Sequence, residues 1–135
     1  MRRLNDRGVA AAEFALILPV LLLILFGTIE FGMIMYSREV VTNAVREGAR
    51  AGIVQGPPKR TEAEIIAIAT TYLTGTGVTP ADVTFTVTGE MLASPENLTV
   101  TATYLYRFLI PYVPTTVVGI PSPLPLTARS VMRHE

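Results

Sequence analysis

One carboxylate stands where a carboxylate is costly. Glu13 lies between Ala12 and Phe14, at the entrance to a long apolar run. In a membrane an ionised carboxylate costs about 2.5–3.5 kcal/mol at the centre and less near an interface. Two readings follow. Glu13 can lie shallow and reach back toward water, or it can neutralise a cation held in the same apolar layer. A cut after Gly8 would supply that cation, because Val9 would then carry a new α-amine. Val9 and Glu13 are i and i+4, on one face of a helix. A negative group in the first turns also suits the helix dipole.

Little else in the sequence could do chemistry. His134 is the one histidine and there is no cysteine, so neither a thiolate metal site nor a Cys–His pair can form. The carboxylates have no metal-loop spacing, no Ser-centred elbow is present, and no glycine-rich phosphate loop occurs. Eleven basic and eleven acidic side chains cancel, which leaves no net field to attract nucleic acid. The composition argues against an enzyme, and no cofactor is expected.

The elements that would position Glu13 are legible around it. Met1–Gly8 reads MRRLNDRG and is basic. From Phe14 to Ile29 nothing is charged; Glu30 interrupts once, and apolar residues continue to Tyr36. A helix over Phe14–Tyr36 would be about 34 Å long, enough to cross a hydrocarbon core of about 30 Å with some tilt. The arginines ahead of it favour a cytoplasmic N-terminus. A cleavable secretory signal would need a shorter run followed by a small-x-small site. The residues after this run, Glu30–Tyr36, offer no such site.

The motif Gly8-Val9-Ala10-Ala11-Ala12-Glu13-Phe14, with a basic leader before it and an apolar run after it, resembles the processing site of type IV pilin-like proteins. Within them it is most similar to the TadE-like pseudopilins of tight-adherence systems. The segments Arg46–Gly52 and ARSVMRHE at the end add to the likeness. The resemblance implies cleavage between Gly8 and Val9 by a membrane-embedded prepilin peptidase, with Phe14 part of the processing context. It implies that Glu13 pairs with the N-terminus of an adjoining pilin or pseudopilin subunit. It places the chain in a bacterial inner membrane, its head outside, beside a pilus assembly platform. The implied role is a minor subunit in pilus assembly and adhesion. Two other readings are an uncleaved membrane-anchored binding module and a major filament subunit.

The expected layout is a leader over residues 1–8, a transmembrane helix over 9–36 and a head over 37–135, with the helix continuing to about residue 53. Beyond Tyr36 the residues Val40, Val41, Ala44, Val45, Gly48, Ala51 and Gly52 form an apolar or small stripe. Ala44, Gly48 and Gly52 recur every four residues and permit close approach, either of the chain's own head or of another subunit's helix. Thr61 with Glu64 is a capping box opening a second helix. Ile65, Ile68, Ala69, Tyr72 and Leu73 line one face of it, and Gly75 and Gly77 stop it. Three runs then alternate with period two: Val83–Thr88, Leu98–Tyr106 and Leu126–Arg133. They predict a small antiparallel sheet with one buried face. The fold class is therefore α+β, with the long helix as spine. Residues 108–125 carry five prolines and are expected to form an apolar loop, folded over the sheet edge or offered as a contact site.

Overall fold

The computed structural model describes residues 2–54, 59–89, 97–109 and 119–133, with side chains from Gly8 onward. The chain divides into two compact units, Met1–Met33 and Ile34–Glu135. Helix α1 runs over Arg2–Ile53 and contributes to both.

In the first unit α1 is an apolar rod. Its large apolar side chains from Phe14 to Phe31 are exposed, apart from half-buried Leu18. Pro19 removes one backbone donor, and the Thr28 hydroxyl donates to the Ile24 carbonyl at 2.8 Å. So much exposed apolar surface is unfavourable in water and calls for lipid or other apolar helices.

In the second unit α1 and α2 (Glu62–Leu73) cover one face of a three-stranded antiparallel sheet. The strands are β1 (Val83–Thr88), β2 (Asn97–Tyr106) and β3 (Leu124–Arg133), in the order β1-β2-β3. Val83 pairs with Tyr104, and Leu98 with Met132. Period-two alternation sends Val83, Val87, Leu98, Val100, Ala102 and Tyr104 into the core. The threonines between them face outward. There Thr84, Thr103 and Thr127 lie side by side across the three strands.

The α1 stripe is buried along Val40, Val41, Ala44, Val45, Gly48, Ala49 and Gly52. Ala49 is fully buried and Ala51 only half-buried. Ala49 is i+4 from Val45, whereas Ala51 falls off that line. On α2 the buried residues are Ile65, Ala69 and Leu73, spaced by four. Tyr72, expected on this face, is exposed because it lies one position off the line.

The capping box of α2 forms as expected. Thr61 N–H donates to Glu64 Oε2 at 2.8 Å, and Glu64 N–H donates to Thr61 Oγ1 at 3.4 Å. The backbone bond from Thr61, then its hydroxyl, hold the Glu64 carboxyl below its ordinary value. Thr61→Ala should cost about 1 kcal/mol of head stability, read by thermal unfolding. A depressed carboxylate pKa contributes stability above the unfolded value, about 4.3 for glutamate, and loses it as pH falls through the folded value. The deficit of Glu64→Ala should therefore be full at neutral pH and shrink below about pH 4.3. A deficit that grows on acidification would contradict this.

The strand after the proline-rich segment starts earlier than its alternation indicated. β3 opens at Leu124, and Pro125 stands opposite Leu105. Proline is tolerated there because β3 is an edge strand and needs no donor on its outer side. Phe108 is also buried, at the end of an edge-to-face row with Tyr104 and Tyr106, centroids 6.2 and 5.7 Å apart. Of the expected loop, residues 119–123 form neither helix nor strand, and 110–118 lie outside the described residues.

Candidate processing and assembly segment

Gly8, Val9, Glu13 and Phe14 all lie in α1, within its first unit. Val9 and Glu13 are one helical turn apart, a rise of about 6 Å. Glu13 is exposed and has no hydrogen-bond or ion-pair partner among the described residues. Val9 and Phe14 are more than half exposed. A side-chain carbon built on Gly8 would meet nothing within 4 Å. Packing within this chain therefore gives no reason for glycine at position 8. A requirement for glycine there would have to come from something that binds the segment. Glycine in a helix also costs about 1 kcal/mol relative to alanine. Local unwinding at Gly8–Val9 is accordingly easier than in the Ala10–Ala12 run beside it.

Gly48 and Gly52 stand in a different situation. A Cβ on Gly48 would lie 3.1 Å from Ala69 Cβ and 3.4 Å from the Ile65 carbonyl oxygen. A Cβ on Gly52 would lie 2.8 Å from Ile65 Cδ1, and closer still to Leu98 Cδ2. Ala44 is fully buried in the same core. The small-residue stripe thus packs on the chain's own α2 and β2. These contacts run Gly48 to Ala69 and Gly52 to Ile65, so the two helices are antiparallel in the head.

One functional-looking link was not expected. The Tyr36 hydroxyl donates to the Thr76 carbonyl at 2.9 Å, tying α1 to the turn after α2. The available signal was a tyrosine closing an apolar run, a residue that combines an apolar ring with a polar tip. Among the described residues no cluster of His, Cys, Asp or Glu could hold a metal ion. His134 lies outside them.

A single long apolar helix that leads into a small α+β head fits a single-pass membrane anchor. The family model described as TadE-like protein matches residues 8–50. The chain therefore carries a TadE-like N-terminal segment, which begins at Gly8, contains Glu13 and Phe14, and ends before the sheet. Neither the curated proteins nor the solved structures include a match to this chain.

Proposed function

We propose that this chain is a minor pilin-like subunit that assists assembly or anchoring of a tight-adherence type IV pilus. A prepilin peptidase removes Met1–Gly8 on the cytoplasmic side. The apolar helix then holds the subunit in the inner membrane, with the head outside, until the assembly platform draws it into or onto the pilus. Glu13 compensates the new amine of Val9 in a neighbouring pilin or pseudopilin subunit. The protein works by assembly and not by catalysis.

The observation that carries this reading is a coincidence of position. The TadE-like match starts at Gly8, where glycine has no packing role in the chain itself. One turn beyond Val9 stands an exposed carboxylate at the mouth of an apolar helix. Each residue has a use if the chain is cut there and its helices associate.

The deciding measurement is the intact mass of the membrane-extracted protein, made with and without the peptidase. A peptidase-dependent loss of Met1–Gly8 is the expected result. A full-length chain in both samples would remove the cation that Glu13 needs, and an uncleaved membrane-anchored binding module would take the place of this reading.

A further inference from the structure

The head has two ends, and they differ in chemistry. The chain enters the head at Ile34. Tyr36 binds the Thr76 carbonyl, so the turn after α2 lies at the entry end. That turn leads through the short helix Pro80–Asp82 into Val83, which pairs with Tyr104. Arg107 reaches Asp82 at 3.3 Å. The C-terminal end of β2 and the start of β3 therefore also lie at the entry end. Gly52 packs on Leu98 at the opposite end, where β2 begins.

Exposed apolar side chains are concentrated at one of these ends. Among the described residues of the head seven large apolar side chains are exposed, and five of them, Met35, Tyr36, Tyr72, Leu105 and Leu109, belong to the entry end. Only Val54 and Val131 belong to the other. Leu105 is 43% exposed on the outer side of β2, and Leu109 is 70% exposed just beyond it. Asp82, the carboxylate between them and the α2 turn, is engaged by Arg107. Arg38 and Arg107 are exposed at the same end. Tyrosines with an apolar body and polar tip, leucines, and arginine side chains form the composition that settles at a membrane–water interface.

We propose that the entry end of the head rests in the interfacial layer of the bilayer that the apolar helix crosses, with Leu105 and Leu109 inserted below the headgroups. The occupant of this surface is lipid. The inference rests on the membrane-spanning part of the function proposed above. The Tyr36 bond to Thr76 holds the turn after α2 beside the point where the chain enters the head. Insertion to the usual interfacial depth of about 5–10 Å then brings Leu105 and Leu109 out of water. The head would be held on the membrane before assembly and would have to be lifted from it when the helix is extracted.

The chain has no tryptophan, so single substitutions give unambiguous fluorescence. Four full-length variants are needed: Leu105→Trp, Leu109→Trp, Val131→Trp and Phe26→Trp. Each is placed in phosphatidylcholine vesicles that contain lipids brominated at shallow or deep acyl positions, and circular dichroism verifies the fold. Val131 is the control in the head, 50% exposed and about 20 Å along the sheet from Leu105. Phe26 reports on the helix. The expected result is strong quenching of Phe26→Trp by deep bromine, and of Leu105→Trp and Leu109→Trp by shallow bromine. Val131→Trp should stay at its value in unbrominated vesicles. Quenching at Phe26 with none at Leu105 and Leu109 would overturn the proposal, leave the membrane anchor standing, and turn the apolar end toward a protein partner. Equal quenching at Val131 would also overturn it, since no particular end would then face lipid. No quenching at Phe26 would remove the membrane-spanning reading itself.

Discussion

Glu13→Ala should leave leader removal mostly intact while greatly reducing the amount of this subunit found in pili. Cleavage depends on the Gly8–Val9 bond and its immediate context, and Glu13 is a full turn beyond it. Assembly brings the new amine of Val9 into an apolar layer, where it requires an opposite charge. Leaving a charge uncompensated in that layer costs about 2.5–3.5 kcal/mol at the centre. At about 1.4 kcal/mol per factor of ten, the partition between membrane and pilus should change on the order of a hundredfold. Glu13→Gln should behave like alanine, because it keeps size and polarity but not charge. Glu13→Asp should retain part of the function, since a shorter carboxylate still provides the charge. Immunoblots of sheared pili and of membranes would read both quantities. Normal piliation in Glu13→Ala and Glu13→Gln would refute the pairing role. Loss of cleavage in both would instead assign Glu13 to peptidase recognition.

The N-terminal segment was legible in the sequence because its elements are local. A carboxylate next to an apolar run, a glycine five residues before it and a basic flank all fall within fifteen residues. The TadE-like match begins at that glycine and takes in the carboxylate and the apolar run, but not the basic flank. The head was legible where periodicity was strong, as in the alternation of β1 and β2 and in the Thr61–Glu64 box. It was less legible where the outcome depended on partners distant in sequence. Ala44, Gly48 and Gly52 announce close approach, but what approaches the two glycines is Ile65, Ala69 and Leu98, which no local pattern near residue 48 can specify. Pro125 reads locally as a strand breaker. It is admitted because β3 lies at the sheet edge, a property of strand order. Tyr72 lies off the buried face for a simpler reason. The buried line Ile65, Ala69, Leu73 is narrow, flanked by half-buried Ile66, Ile68 and Thr70.

The core contact between Gly52 and Leu98 carries the second large expectation. Leu98 is fully buried, and its Cδ2 occupies the space that a side chain at position 52 would need. Leu98→Ala should destabilise the head by about 2–5 kcal/mol, through lost burial and the cavity left behind. In a head of about 100 residues each kcal/mol moves the melting temperature by roughly 4–8 °C, so a drop of about 8 °C or more is expected. Gly52→Leu should also destabilise, by about 1–3 kcal/mol of overpacking. Replacing a helical glycine returns up to about 1 kcal/mol of helix propensity, which is too little to reverse the sign. The two changes are complementary in space: one empties the volume that the other overfills. The double variant Gly52→Leu/Leu98→Ala should therefore be more stable than the sum of the two losses predicts, by about 0.5–3 kcal/mol. Thermal unfolding of the four proteins in one detergent measures the cycle. Strict additivity would show that Gly52 and Leu98 do not share this space, against the packing of α1 on β2. A coupled result would bind the small-residue stripe to the fold of the head, leaving the exposed segment around Glu13 as the part of α1 available to other subunits.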